Sequence, residues 1–182
     1  NSGTLEIQGD YRVQTKSGTS YIASTGVLNM TNETDTVKVF GNFVMQSTAS
    51  HSGKLTAGTL EIGGNLTQIG GSNQNFCTSG THTVILNGSE AQTVSISNNY
   101  KDYSRFNNLK ITNTSETGVN FATDAYVIGN LYNTESVLTN SSRIILAGNF
   151  ADNAWNHDIW FAEDRTLNSD IEIGGTLYLN GG

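Results

Sequence analysis

The chain has 182 residues, 16 acidic against 9 basic side chains and a formal net charge of -7. Its length fits one domain, and its acidity repels phosphate backbones, so nucleic acid is excluded as an expected partner. Its longest apolar stretches fall well short of 18 residues, it carries no basic, apolar and small-residue leader, and Cys77 is its single cysteine. Membrane insertion through a helix and an internal disulfide are therefore not expected, an exported parent would have lost its leader, and Cys77 reads as a small buried hydrophobe.

Gly counts 20 and Asn 22, and with Ser and Thr they make up nearly half of the chain. There is no proline, where average usage of about 5% would give about 9. Proline cannot donate to a strand ladder, so its absence suits a body whose strands are paired on both sides.

From the N-terminus onward one unit recurs: two apolar residues alternating with polar ones, then Gly or Asn, then often a large apolar residue two positions later. Its instances are LEIQGDY from Leu5, VKVFGNF from Val37, LEIGGNL from Leu60, VILNGSE from Val84, LKITNTS from Leu109, AYVIGNL from Ala125, IILAGNF from Ile144 and IEIGGTL from Ile171. The corner positions are Gly9, Gly41, Gly64, Gly88, Asn113, Gly129, Gly148 and Gly175, separated by 16 to 32 residues and on average by about 24. Alternation of period two predicts strands with one buried face, and no window offers an amphipathic helix of useful length. Further strands are expected between the anchors, at GVLNM from Gly26, GKLTA from Gly53, QTVSIS from Gln92 and GVNFA from Gly118.

A unit that changes length without losing its strand signature predicts an all-β parallel β-solenoid of about eight irregular coils, one domain over 1–182, with extra residues leaving at the corners. At about 4.8 Å per strand such a rod is roughly 40 Å long. Gly and Asn are expected at the corners because positive φ is open to them, and stacked Asn side chains are expected to bond along the axis. Tyr11, Phe43, Leu66, Leu131, Phe150 and Leu177 are expected to stack as an inner column, which Glu90 and Ser115 interrupt. The competing architecture is an antiparallel β-sandwich, which has no need to repeat one unit eight times. Both ends of the chain read as repeat-like sequence without a polar cap, so covering by neighbouring repeats of the same chain or by end-to-end copies is expected.

The stretch Asp152 to Arg165, DNAWNHDIWFAEDR, breaks the pattern and reads as an irregular loop. It gathers both tryptophans, His157 and four acids, and it supplies the candidate ligand-binding residues Trp155, His157, Asp158, Trp160 and Asp164. Exposed indoles beside carboxylates suit stacking on a sugar, and a carboxylate pair such as Asp158 with Asp164 is the minimum for glycoside cleavage. The alternative is that the aromatics cover an irregular coil.

No metal and no cofactor are expected. The histidines lie far apart, the calcium-binding nonapeptide and the EF-hand loop are missing, and isolated acids read as solvated turn residues. Six Asn-x-Ser/Thr sequons occur, about as many as chance gives in so Asn-, Ser- and Thr-rich a chain. Threonine reads as lacking fixed phase to the anchors, so an ice-binding ladder is not expected.

The stretch from Phe76 to Thr123, FCTSGTHTVILNGSEAQTVSIS followed by RFNNLKITNTSETGVNFAT, together with GTLEIQGDY, GTLEIGGNL and VKVFGNF, resembles repeats in large surface proteins of Gram-positive, chiefly clostridial, bacteria. The likeness runs to about Asn133. It implies an exported wall or adhesin-like protein, extracellular or on the cell surface, without catalytic residues to carry across. The expected function is thus a structural or adhesive segment acting as scaffold, spacer or assembly unit, not an enzyme, with carbohydrate or a host or cell-surface protein as a further partner. The alternative is a glycan-binding or polysaccharide-cleaving β-helix module that uses the 152–165 loop.

Overall fold

The computed structural model describes residues 3–163 and 169–179. These residues form an all-β protein with no helix, and so none that is long and apolar enough to cross a membrane.

A seven-stranded sheet is built in the spatial order β1 (Thr4–Ile7), β4 (Thr36–Val39), β6 (Thr59–Ile62), β8 (Thr83–Leu86), β10 (Asn108–Ile111), β13 (Asn130–Leu131) and β15 (Asn149–Phe150). Each strand is thus followed in space by the next one in the chain that reaches this sheet. A six-stranded sheet runs from β11 (Val119–Phe121) through β9 (Gln92–Ile96), β7 (Leu66–Gln68) and β5 (Phe43–Met45) to β2 (Tyr11–Ser17) and β3 (Ser20–Ala23). A four-stranded sheet holds β12 (Ala125–Val127), β14 (Ile144–Leu146), β17 (Ile159–Phe161) and β19 (Leu177–Leu179), and β16 (Ala154–Trp155) pairs with β18 (Glu172–Ile173). The β2–β3 hairpin is antiparallel, and every other strand pairing among the described residues is parallel.

The registers turn the sequence alternation into core columns. Leu5, Val37, Leu60, Val84, Leu109, Leu131 and Phe150 are successive partners, and from Val37 to Leu131 all are buried. On the six-stranded sheet Tyr11, Phe43, Leu66, Val94 and Phe121 are partners in turn. The expected inner column therefore divides: Leu131 and Phe150 stand in the seven-stranded sheet, and Leu177 pairs with Ile159 in the four-stranded one. The cause is a change of corner. In the first five units the anchor joins the seven-stranded sheet to the six-stranded one, whereas Gly129 and Gly148 join the four-stranded sheet to the seven-stranded one. The short step of 16 residues from Asn113 to Gly129 marks that slip, because the chain returns from Leu109 to its partner Leu131 only after 22.

The anchor glycines do not take positive φ, contrary to the expectation; among the described residues that conformation belongs to Gly18, Gly53, Gly58, Gly80, Gly118 and Gly71, and no non-glycine residue, Asn113 included, adopts it. The anchors are small because backbones meet there. A Cβ on Gly64 would lie 2.6 Å from the Gly41 carbonyl carbon, one on Gly148 1.8 Å from the Gly129 oxygen, and one on Gly175 2.2 Å from the His157 carbonyl carbon.

Beside the anchors, Asx side chains bond along the stack, mostly to backbone rather than to each other. Asp10 Oδ1 accepts the Asn42 N–H (2.8 Å), Asn42 Oδ1 the Asn65 N–H (2.9 Å) and Asn65 Oδ1 the Thr93 N–H (2.7 Å). Asn108 does the same for Asn130 and Asn120 for Ser141. These bonds take up corner N–H groups that leave the strand ladder; most lie at the surface, where each contributes about 0.5–1.5 kcal/mol. Where Glu90 interrupts the pattern, buried Gln92 replaces the corner: its amide accepts the Gly88 N–H and donates to the Ile62 and Gly64 carbonyls, while Asn113 donates to Gln92 Oε1.

Threonine, read from sequence as unphased, is in phase: Thr4, Thr36, Thr59 and Thr83 are consecutive partners, each five residues before its anchor. The neighbouring outward column runs Glu6, Lys38, Glu61, Ile85, Lys110. Its charged side chains stand where a flat ice-binding face would need small ones.

Two predictions follow from this packing. Gly148→Ala lowers stability by about 2–3 kcal/mol, the scale of overpacking, while Gly9→Ala, whose Cβ meets nothing within 4 Å, stays within about 0.5 kcal/mol in urea unfolding. The second concerns acid. His51 Nε2 accepts the Leu28 N–H and His82 Nδ1 donates to the Ala57 carbonyl; both rings are fully buried and each keeps one unpartnered nitrogen. Burial holds both below the ordinary histidine range. The unfolded chain therefore takes up protons first, and stability, complete above about pH 6.5, falls as the pH drops below it. Urea midpoints measured at about pH 7.5 and about pH 5 check this, and equal midpoints would refute it.

Candidate functional site

The stretch read as a loop carries β16 and β17. Ile159 and Phe161 are buried and Trp160, between them, is not, so alternation is present but hidden by an outward-facing aromatic in an apolar run. β17 closes onto β14 through Ile145↔Trp160 and Leu146↔Phe161.

This arrangement separates the two tryptophans. Trp155 is fully buried: it pairs with Ile173, meets the His157 ring edge-on at 5.5 Å and donates its indole N–H to the Asp158 carbonyl. It belongs to the core and offers no surface to a ligand. Trp160 is part-exposed and lies parallel to Tyr178, with ring centroids 4.3 Å apart and 4° between planes. Tyr178 is itself exposed. Asp164 lies outside the described residues, so its pairing with Asp158 has no described counterpart.

His157, Asp158 and Trp160 line one cleft of about 510 Å³, together with Leu138, Asn140, Ser141, Ser142, Arg143, Asn156 and Gly175. Its walls come from successive passes of the chain at the corner that leads into the four-stranded sheet. One pass brings Asn140 to Arg143 just before β14, the next His157 and Asp158 just before β17, and the third Gly175 before β19.

The polar groups of the cleft are held by neighbours. Arg143 donates through Nε to Asp124 Oδ2 at 3.0 Å and through Nη2 to the same oxygen, and its backbone N–H goes to Asp124 Oδ1. Burial pushes the Asp124 carboxyl up, but these bonds and the guanidinium charge outweigh it and hold the group below the usual carboxylate range. Ser141 and Ser142 donate to Asn120 Oδ1 and the Ala122 carbonyl, and Asn140 Oδ1 accepts the Phe121 N–H. Asp158 Oδ1 accepts the Thr176 N–H at 2.7 Å, the same corner bond that Asp10 and the Asn residues make elsewhere. His157 is pushed below the usual histidine range by burial, and its Nε2 is buried without a partner.

Of the five residues singled out from sequence, the fold thus brings His157, Asp158 and Trp160 together and sends Trp155 inward. It adds Asn140, Ser141, Ser142 and Arg143, whose one signal was the polar run NSSR ahead of an apolar strand, and Tyr178. Among the described residues no group of three or more His, Cys, Asp or Glu is placed to hold a metal ion.

Compared with known proteins, the chain matches no family model, no curated protein and no solved structure.

The burial difference gives a direct test. Trp155→Ala costs about 3–5 kcal/mol, and Trp160→Ala about 0.5–1.5 kcal/mol, the worth of a stacked aromatic pair. In acrylamide quenching the Trp155→Phe form, which reports Trp160 alone, is quenched readily, and the Trp160→Phe form, which reports Trp155, is protected. The reverse order would place the two indoles wrongly.

Proposed function

We propose that this chain is a parallel β-solenoid segment of an extracellular or cell-surface protein, and that it serves as a structural scaffold or spacer that presents an adhesive face. The observation that carries this reading is the repeated register of one unit. β1, β4, β6, β8 and β10 join in parallel with matching residues opposite one another, and β2, β5, β7 and β9 repeat the pattern on a second sheet. Chain neighbours in an antiparallel sandwich pair with each other, which among the described residues only β2 and β3 do.

The use of the acids supports a scaffold over an enzyme. Asp10, Asp124 and Asp158 all accept backbone N–H groups from the following pass, so they hold corners together. The resemblance of the repeats to those of Gram-positive surface proteins supports the location, and neighbouring repeats or end-to-end copies are its nearest partners.

Two measurements test the proposal. Small-angle scattering is expected to report an elongated particle, and a near-spherical one would overturn the solenoid. Antibodies raised against the segment are expected to label intact cells of the parent organism, and labelling only after lysis would overturn the location.

A further inference from the structure

We infer that the cleft beside Trp160 binds a neutral oligosaccharide. The inference rests on the adhesive reading above only for the setting in which the ligand is met. The site itself is built from side chains that are positioned yet incompletely used. Asn140 spends its carbonyl on Phe121, Asp158 one oxygen on Thr176, and Arg143 its Nε and Nη2 on Asp124. Among the described residues, the Asn140 amide nitrogen, the second Asp158 oxygen, Arg143 Nη1 and the Trp160 indole N–H make no hydrogen bond, and all four residues line the one cleft. Three donors and an acceptor are left, beside an indole already fixed by Tyr178.

A group that both donates and accepts satisfies such a set, and a ring bearing several hydroxyls, with apolar C–H faces for Trp160 and Leu138, supplies it. Charge narrows the class. The Arg143 guanidinium is neutralised by Asp124, Asp158 adds a negative charge, and the chain as a whole carries -7, so a uronic or sialic acid is disfavoured. Direction disfavours an extended peptide. The cleft crosses three passes, about 10 Å at the spacing of strands, so a ligand in it lies across β14, β17 and β19, whereas the unpaired edge of β19 runs along the strands, the direction that strand addition needs.

The probes are cellohexaose, mannohexaose, xylohexaose and chitohexaose, with hexagalacturonate as the acidic counterpart and an unstructured Gly/Ser-rich peptide as the non-sugar control, titrated into the full chain by calorimetry. At least one neutral hexasaccharide is expected to bind at millimolar concentration or below. Asn140→Ala, and Trp160→Phe, which keeps a ring on Tyr178 but loses the N–H, are each expected to weaken it by about tenfold or more, with unchanged circular dichroism. The Trp155→Phe form, altered in the core, is expected to bind as the native chain does. Absence of binding by all four neutral sugars, equal binding by the Asn140→Ala and Trp160→Phe forms, or tighter binding of the galacturonate or the peptide would overturn the inference. None of these results alters the scattering profile, so the scaffold reading stands or falls separately.

Discussion

Successive passes of the chain must approach to a single strand spacing, about 4.8 Å, and the rest of the structure depends on meeting that distance everywhere, corners included. Strands meet it through their ladders. At the corners two devices do so: glycine, where a Cβ on Gly64, Gly148 or Gly175 would enter the backbone of the pass below, and Asx side chains, which take up the N–H groups that the ladder leaves behind. Proline, which has no N–H to offer either arrangement, is absent.

The same spacing explains the polar interior. Gln68, Asn75, Gln92, Ser104 and Asn113 are buried and bonded to carbonyls and to one another across passes. A buried amide tolerates few registers, since a shift by one residue leaves donors unpaired. Apolar columns such as Leu60, Val84 and Leu109 supply burial without choosing between neighbouring registers of equal pattern. The amides make that choice.

The cleft arises from the same geometry. Corners that lead into the four-stranded sheet place the polar run before β14 beside the 156–158 corner of the next pass, and a bond such as Thr176 N–H to Asp158 uses one oxygen and leaves the other facing outward. A side chain recruited to hold a corner thereby becomes half of a surface site. Trp160 reaches the same place because it is the outward residue of β17, held flat against Tyr178 of the next strand.

Much of this was legible in the chain itself. Period-two alternation around Leu60 or Val84 dictated strands with one buried face, the recurrence of the unit dictated strands that line up in parallel, and the Gly and Asn anchors marked the corners, though for close approach rather than for positive φ. Threonine's phase, five residues before each of the first four anchors, was equally readable. Other features were decided only by the tertiary structure. Which corner a given Gly turns changes after Asn113; the short step to Gly129 hints at a change, but what it is follows from the pairing of Leu131 with Leu109. The opposite fates of Trp155 and Trp160 are of the same kind: Ile159, Trp160 and Phe161 are all apolar, so no pattern marks an inner face, and the register of β17 on β14 alone sends Ile159 and Phe161 inward and leaves Trp160 at the cleft.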